Sequence, residues 1–315
     1  MRIGLFISDV SGEQTTIDEL LANARAAEAL GFTTGWVPHI PWSLDGLTAL
    51  ALAGQVTSRI ELGTAVMPTY PRHPLAMAQQ AMSTQAATDG RLVLGIGPSH
   101  PVVIESMHGL EYARPAHHTR EYVEVLRAAF AGAGHVEYRG EMFGFSSMLT
   151  VPGSTPAPIM IAALAPKMLR LAGELTDGTI TYWANQRAIG EHIVPAITAA
   201  AEGAERPPPR VVVGLPVAVC ADPDAGRERA AKLFATYLNI PTYQRILSRG
   251  GDDTTPADVA IIGTEADVTA QLRSYAAAGA TDLCATALGL DDDREASQRR
   301  TIEMLASLTP ELEKA

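Results

Sequence analysis

Short apolar runs alternate with longer amphipathic segments along most of this chain. Eight apolar runs lie at 3–7, 34–37, 60–66, 92–96, 157–162, 178–182, 210–220 and 282–288. Polar residues do not alternate regularly with apolar ones inside them, which is typical of strands covered on both faces. Segments with helical spacing separate them, at 16–30, 45–57, 114–133, 166–175, 187–204, 224–249, 265–278 and 294–308, and around Leu75, Met82 and Ala86.

This alternation of strands and helices predicts a (β/α)8 TIM barrel, with a doubly wound open sheet as the rival architecture. No linker divides the chain into halves and no repeat of fixed period is visible, so we expect one domain over residues 1–315. Two stretches depart from the pattern and are expected to be insertions, at about 134–156 and about 237–262. The first has the character of a hairpin, and a polar turn is expected at 11–14.

Composition and charge exclude several classes of function. The chain is 47% apolar and 19% charged, so a sizeable core can form. Its formal net charge of −11 argues against a surface for nucleic acid or anionic membranes. No apolar run is long enough to span a bilayer and the first residues do not form a signal peptide, so a cytoplasmic protein is expected. Cys220 and Cys284 are interpreted as buried, reduced thiols.

Familiar chemical motifs are absent or incomplete. Gly95-Ile96-Gly97 begins like a dinucleotide fingerprint, but His100 stands where the third glycine is needed. Glu105-Ser106-Met107-His108 is a single E-x-x-H step, whereas a carboxylate di-iron site needs two such steps and two further glutamates. The adjacent His117 and His118 point in different directions on a helix, so no metal site is expected.

The carboxyl ends of the predicted strands carry the residues best suited to a ligand, and ligands bind at this edge of parallel sheets. Gly97-Pro98-Ser99-His100 follows the fourth apolar run, and His39 and Trp42 follow the second. A histidine there can donate a hydrogen bond to a developing negative charge or relay a proton, and an indole can stack on a flat ring. His39 and Trp42 are therefore candidate catalytic residues, with ordinary loop packing as the alternative.

Residues 163–178 form a second candidate element, a loop that leads from a strand into a helix. Free amide groups at the start of that helix, with Lys167 and Arg170 nearby, would suit a phosphate. An ordinary connection with solvated basic side chains accounts for the same pattern, and the sequence does not decide between the two.

Taken together, these segments resemble the bacterial luciferase-like superfamily, and most closely its branch that uses the deazaflavin coenzyme F420. The matching segments are AEALGFTTGWVPH (27–39), SRIELGTAVMPTYPRHP (58–74), GRLVLGIGPSH (90–100), PIMIAALAPKMLRLAGELTDG (158–178) and IGTEADVTAQLRSYAAAGATDL (262–283). The LGIGPSH stretch is similar to methylenetetrahydromethanopterin reductases and their actinobacterial relatives.

The resemblance implies a TIM barrel with an isoalloxazine-like ring over the carboxyl ends of its strands. It implies a non-proline cis peptide near Ala65-Val66 that backs the ring, and a coenzyme phosphate held by 163–165 and by Gly178-Thr179. The residues implied in coenzyme binding are His39, Thr64, Ala65, Val66, Gly97, Pro98, Ser99, Ala163, Leu164, Ala165, Gly178 and Thr179.

The resemblance also bears on the direction of the reaction. His39 and Trp42 match a His and a Trp near the ring in the sugar-phosphate dehydrogenases of this branch, with a spacing one residue shorter. Those enzymes carry a Glu just after the G-x-G of the fourth strand, where this chain has Pro98-Ser99. Reduction of a substrate is therefore favoured over oxidation of an alcohol or sugar.

The expected activity is hydride transfer between coenzyme F420 and a small organic substrate, with His39 stabilising or protonating the developing anion. One alternative is a monooxygenase that uses flavin mononucleotide (FMN), and another is a non-catalytic barrel that binds the coenzyme. The coenzyme tail is anionic, so a local basic patch is needed, and its candidates are Arg72, His73, Lys167, Arg170 and Arg187. Both inserted segments are expected to shape the substrate pocket, and the resemblance implies a homodimer.

Overall fold

Eight parallel strands form the centre of the molecule in the computed structural model, which describes residues 1–8 and 14–313. The predicted polar turn at 11–14 lies outside the described residues except for Gln14. The strands are β1 (Arg2–Phe6), β2 (Thr34–Val37), β3 (Glu61–Thr64), β5 (Leu92–Gly97), β8 (Ile159–Ala162), β9 (Gly178–Tyr182), β10 (Arg210–Val219) and β12 (Asp282–Ala287). Each of the eight predicted apolar runs contains one of them or overlaps it closely.

Pairing between the first and last strands closes the sheet into a barrel. The order runs β1, β2, β3, β5, β8, β9, β10 and β12, and β12 pairs again with β1. Ring closure excludes the open doubly wound sheet and confirms the predicted (β/α)8 barrel. Two short strands extend the sheet beyond the ring: β4 (Met67–Pro68) pairs with β5, and β11 (Ile261–Gly263) pairs with β10.

Helices follow the strands around the outside of the barrel, as the apolar spacing predicts. They are α1 (Ile17–Ala29), α2 (Gly46–Gly54), α3 (Pro74–Ala87), α4 (Pro115–Phe130), α5 (Pro166–Leu175), α6 (Gln186–Ala188), α7 (Val194–Gly203), α8 (Pro223–Phe234), α9 (Pro241–Leu247), α10 (Pro256–Val259), α11 (Glu265–Ala277) and α12 (Arg294–Leu312). Side-chain caps fix several of their starts. Thr16 and Glu19 form a capping box at α1, and Asp293 accepts a hydrogen bond from the Ala296 N–H at the start of α12.

The predicted hairpin is confirmed, and its position is set by one buried carboxylate. Strands β6 (His135–Arg139) and β7 (Gly144–Met148) pair antiparallel. Between them, the backbone N–H groups of Glu141, Met142 and Phe143 donate to the Glu121 carboxylate of α4, at 2.8, 2.9 and 3.1 Å. The hairpin therefore lies against α4. The extents of the insertions and the single domain stay predictions.

Three short helical segments are not α-helical. The π-helical Ile189–Ile193 and the 3-10 turn Ala235–Asn239 lie inside the segments predicted to be helical at 187–204 and 224–249. The π-helical Val102–Met107 is not among the predicted segments, and it has no side-chain cap at its start. The short strand β11 was also missed, because three residues carry no periodicity.

Two layers of apolar residues hold the barrel together. The inner layer fills the barrel itself and consists of Trp36, Val93, Met160, Ile180, Val212 and Cys284. Glycine makes room for the largest of them: a Cβ at Gly63 would lie 2.3 Å from the Trp36 ring. The outer layer lies between the sheet and the helices and includes Leu20, Leu50, Met77, Leu126, Leu169, Ile197, Leu272 and Leu305.

The amino end of the barrel is closed by ion pairs rather than by apolar residues. Arg210 reaches Glu61 at 2.8 Å and Asp282 at 2.7 Å, and Arg2 contacts the same two carboxylates. Asp282 is nearly fully buried, so its charge needs these partners. The other end is open, and it is there that a cavity forms.

Candidate active site

A cavity of about 460 Å³ opens at the carboxyl ends of the barrel strands. Its lining residues come from the strand ends, the loops after them and the segment around α9. They are Phe6, Pro38, Ile40, Ala65, Val66, Pro98, Ser99, His100, Tyr112, Pro115, Ala162, Leu164, Ala165, Pro166, Met168, Ile180, Thr181, Tyr182, Gly214, Tyr237, Thr242, Tyr243, Arg245, Ile246, Arg249 and Cys284.

A close approach of two strands shapes the floor of the cavity. The hydroxyl of Thr64, at the end of β3, accepts from the Gly95 N–H at 2.9 Å and donates to the Gly95 carbonyl at 2.7 Å. A Cβ at Gly95 would lie 2.0 Å from the Thr64 carbonyl oxygen, so only glycine fits. The peptide bond between Ala65 and Val66, directly after Thr64, is cis, and both residues line the cavity.

The loop after β5 forms one wall. Pro98, Ser99 and His100 line the cavity, and Ser99 has a left-handed backbone with φ of 63°. The Tyr112 hydroxyl donates to the Ser99 carbonyl at 3.3 Å, which ties this loop to the segment before α4. Burial lowers the pKa of His100, so its imidazole is neutral near pH 7 and can donate from one ring nitrogen.

Aromatic rings form a second wall. The ring centroids of Tyr182 and Tyr237 are 5.8 Å apart, and those of Tyr237 and Tyr243 are 5.5 Å apart. Tyr243 also meets His100 edge to face at 5.3 Å, so the two walls touch at this point. Burial raises the pKa of Tyr182 and of Tyr243, and both phenols therefore stay protonated.

The start of α5 opens onto the cavity without a side-chain cap. Leu164, Ala165 and Met168 line the cavity, and Ala165 occupies the N-cap position with no side-chain acceptor for the first amides. His192 holds the loop before α5 in place, because its Nε2 lies within hydrogen-bond distance of the Leu164 carbonyl oxygen, at 2.8 Å. Uncapped amides at a helix start favour an anion, and Lys167 is exposed on the same turn.

The chain matches the family described as luciferase-like monooxygenase over residues 1–282. It belongs to this family. A related sequence is 5,10-methylenetetrahydromethanopterin reductase from Methanolobus tindarius, which is 30% identical over 241 residues, or 76% of this chain and 72% of the relative.

Solved structures share the luciferase-like fold with this chain. An F420-dependent secondary alcohol dehydrogenase in complex with an F420–acetone adduct is 20% identical, with a TM-score of 0.79 over 99% of this chain and 98% of that one. The oxygenating constituent of 3,6-diketocamphane monooxygenase from Pseudomonas putida, a type II Baeyer–Villiger monooxygenase in complex with FMN, is 19% identical, with a TM-score of 0.77 over 99% and 98%. At this identity both likenesses concern the fold.

Half of the coenzyme-binding residues predicted for this luciferase-like chain line the cavity. They are Ala65, Val66, Pro98, Ser99, Leu164 and Ala165. Three others lie just behind it. Thr64 and Ala163 are almost fully buried, and a Cβ at Gly97 would lie 2.9 Å from Val66 and 3.0 Å from Ala162. These three support the lining backbone rather than face a ligand.

His39 and Trp42 are not among the cavity-lining residues. Pro38 and Ile40, on either side of His39, do line the cavity. The Nδ1 of His39 accepts from the Gly46 N–H at 3.3 Å, and burial lowers its pKa, so the neutral Nε2–H form is favoured. Trp42 is 51% exposed, and the structure does not bring its indole to the cavity.

Gly178 and Thr179 lie behind the part of β9 that lines the cavity. Gly178 pairs with Arg210, the first residue of β10, beside the ion-paired amino end of the barrel. The Thr179 hydroxyl is buried and donates to the Ala163 carbonyl, in the loop before α5, at 3.3 Å. The next three residues of β9, at 180–182, line the cavity. Neither Gly178 nor Thr179 lines it, and their role in holding the phosphate stays a prediction.

The predicted basic patch is mostly engaged elsewhere. Arg72 pairs with Asp45 at 2.9 Å, and His73 accepts from the Leu75 N–H at the start of α3. Arg170 and Arg187 pair with glutamates one turn along their own helices. The cations that line the cavity are Arg245 and Arg249, which the sequence interpretation missed. The sequence feature that could have identified them is their position in the segment 237–262, which was expected to shape the pocket.

The hairpin at 134–154 was also expected to shape the pocket. None of its residues lines the cavity, because Glu121 and the aromatic side chains around Phe143 hold it against α4.

Over residues 1–8 and 14–313, no group of three or more His, Cys, Asp or Glu side chains could hold a metal ion. Within the same ranges, no helix has the length and apolar character needed to cross a bilayer.

Proposed function

We propose that this luciferase-like protein is a coenzyme F420-dependent oxidoreductase that reduces a small organic substrate. The observation that carries the proposal is the cavity at the open end of the barrel, which Ala65, Val66, Pro98 and Ser99 line together. Similarity to a methylenetetrahydromethanopterin reductase over most of both chains supports the choice of coenzyme.

The lining residues fit a flat, polycyclic group. Ala65, Val66 and Ile180 provide an apolar floor, and the loop at 98–100 and the rings of Tyr182 and Tyr243 form walls of the same cavity. A ring system held between these walls would be oriented by shape and by contact with aromatic faces. When bound, the deazaflavin supplies the hydride at its ring carbon, and the protein supplies position and electrostatics.

The phosphate of the coenzyme would lie at the start of α5. Ala165 leaves the first amides of that helix without a side-chain acceptor, and Lys167 and Arg249 are the nearby cations. A helix N-terminus and two positive charges stabilise an anion without a metal ion. His192 holds the preceding loop in place through the Leu164 carbonyl.

Two histidines are candidates for supplying a proton to the reduced substrate. His39 is the candidate from the resemblance, and its Nδ1 is engaged by the Gly46 N–H, which leaves Nε2–H as the donor. His100 is a second candidate, since it lines the cavity directly. Trp42 could contact a ligand only at the outer rim, given its exposure.

The direction proposed is reduction. No Asp or Glu is among the described residues that line the cavity, so none is placed there to remove a proton from an alcohol. A neutral histidine can accept a proton as well as donate one, so the proposed direction depends on the missing carboxylate alone.

An FMN-dependent monooxygenase is the second candidate, because the diketocamphane enzyme, whose fold is similar, was solved in complex with FMN. A non-catalytic barrel that binds the coenzyme is the third. A deazaflavin has carbon in place of the ring nitrogen that reacts with oxygen. Oxygen consumption with reduced FMN therefore favours the second reading, and tight binding without turnover on a panel of substrates favours the third.

The deciding experiment is titration of the purified protein with oxidised coenzyme F420 and, separately, with FMN, followed by fluorescence. We expect a Kd for F420 of about 1 μM or lower and much weaker binding of FMN. Preference for FMN would overturn the assignment in favour of a monooxygenase. Failure to bind either would remove the basis for the catalytic roles.

Sedimentation of the same sample tests the predicted homodimer, which like the cytoplasmic location stays a prediction.

A further inference from the structure

Arg245 and Arg249 are the only formally charged side chains among the described residues that line the cavity. Neither has a carboxylate within 4.0 Å in the described part of the chain. Most of the other arginines described there form an ion pair with a carboxylate. The chain as a whole has a net charge of −11. Both arginines are also partly exposed to solvent, and two cations without a carboxylate partner in an otherwise uncharged cavity suit a ligand that carries negative charge.

The two arginines have different neighbours. Arg249 comes two residues after α9 and also borders a polar cleft with His192, whose Nε2 contacts the Leu164 carbonyl at 2.8 Å. Leu164 belongs to the loop before the uncapped start of α5. Arg249 is thus adjacent to the expected phosphate of the coenzyme, and this accounts for one of the two cations.

Arg245 lies one turn earlier, within α9. Its charge acts on the phenol of Tyr112, where it opposes the rise in pKa caused by burial. Tyr112 in turn donates to the Ser99 carbonyl in the loop that also carries His100. Arg245 is therefore close to the wall where a substrate would lie against the ring, and the coenzyme phosphate does not account for it.

The remaining surroundings indicate the chemistry of the occupant. Tyr243, Ile246 and Ile40 give this part of the cavity an apolar and aromatic lining. A guanidinium offers a planar fork of donors that matches a carboxylate. Resting on the proposed function, we propose that the substrate is a small organic acid with an apolar or aromatic body, and that Arg245 binds its carboxylate.

The test compares benzoate with its neutral isostere benzamide as probes, by calorimetry on the F420-loaded protein. We expect benzoate to bind at least about tenfold more tightly than benzamide to the wild type. Arg245→Met should abolish this preference while leaving F420 affinity unchanged. Arg249→Met should keep the preference and weaken F420. The matched control is Arg299→Met, an exposed arginine on α12 that should change neither.

Three results would overturn the proposal. They are equal affinity for the two probes in the wild type, a preference that survives Arg245→Met, and loss of F420 affinity in Arg245→Met without loss of the preference. The last result would assign Arg245 to the anionic tail of the coenzyme. Repeating the probe titrations on the coenzyme-free protein separates this proposal from the proposed function, because a carboxylate preference there does not depend on F420 binding.

Discussion

The rings of Tyr70 and His118 stack face to face, with centroids 4.0 Å apart and planes 3° apart. The Nε2 of His118 also lies 3.1 Å from the Thr69 hydroxyl. Phe143 of the hairpin contacts His118 from one side, and Tyr112 of the cavity wall contacts Tyr70 from the other. A continuous row of rings therefore connects the inserted hairpin to the candidate active site.

Acid should destabilise the protein through His118. Burial lowers its pKa from 6.5 to about 4. Between these values the unfolded chain binds a proton that the folded chain does not, so stability is complete above about pH 6.5 and falls as the pH drops towards 4. The loss attributable to this residue should be on the order of 3 kcal/mol. Urea unfolding of wild type and His118→Gln from pH 4 to 8 measures it.

Comparing the wild type with His118→Gln isolates the contribution of His118, because all other groups titrate in both proteins and their effects cancel. The stability of His118→Gln should depend less steeply on pH between 4 and 6.5 than that of the wild type. His135→Gln, which changes an exposed histidine of the hairpin, should reproduce the wild-type curve. Parallel curves for wild type and His118→Gln would contradict the prediction.

Removing the Glu121 carboxylate should release the hairpin. Glu121→Ala deletes the acceptor of three backbone N–H groups at 141–143. Hydrogen bonds to a charged group contribute more than neutral ones, so we expect a loss of about 2 kcal/mol and exchange of these amides at least about tenfold faster. Hydrogen exchange followed by mass spectrometry measures the change.

The control for the hairpin is Glu137→Ala. Glu137 is exposed, and among the described residues its one ion pair is with Arg139, so its removal should cost less than about 0.5 kcal/mol and leave exchange at 141–143 unchanged. Unaltered exchange in Glu121→Ala would show that the aromatic contacts alone hold the hairpin.

An alanine at Gly95 should disrupt the cavity floor. The added Cβ would meet the Thr64 carbonyl oxygen at 2.0 Å and the Ile180 side chain at 2.6 Å. Because one of these is backbone, the strands must separate, and we expect a loss of about 3 kcal/mol or more. Gly144→Ala is the control, since nothing lies within 4 Å of its added Cβ. Equal melting temperatures for the two variants would refute the close packing of β3 and β5.

Arg210→Met should destabilise the closed end of the barrel, and more so at high pH. The substitution leaves Glu61 and Asp282 with Arg2 alone, which should cost about 3 kcal/mol at pH 8. Burial already raises the pKa of both carboxyls, and losing Arg210 raises it further. The folded state then binds more protons than the unfolded state, so the deficit should shrink towards pH 5.

Urea unfolding at both pH values checks this, with the exposed Arg139→Met as the control that should show no pH-dependent deficit. A deficit in Arg210→Met that is independent of pH would assign the effect to lost packing of the arginine stem rather than to its charge.

The two candidate proton donors can be separated by kinetics once a substrate is found. Replacing the true donor by Gln should lower kcat by about 100-fold or more while leaving the Kd for F420 within a factor of about three. We expect this at His39 or His100, and only at one of them. An unchanged kcat in both variants would assign the proton to solvent.

The sequence alone determined the strands, most helices and the hairpin, because their signals are local. Apolar runs such as 92–96 and caps such as Thr16 act within a few residues. The barrel followed from their alternation, since a parallel strand needs a helix to return the chain. The resemblance placed the cis peptide at Ala65–Val66, where the structure has it.

Only the tertiary structure decided which residues share the site. Gly178 belongs to the matching segment 158–178, yet ring closure places it beside Arg210 at the amino end of the barrel. Arg245 and Arg249 lie more than a hundred residues from the loop at 98–100, and no local pattern distinguishes them from solvated arginines. Arg72, by contrast, pairs with Asp45, which lies 27 residues away in the chain. Which arginines find a carboxylate in another element depends on three-dimensional distances that the sequence does not give.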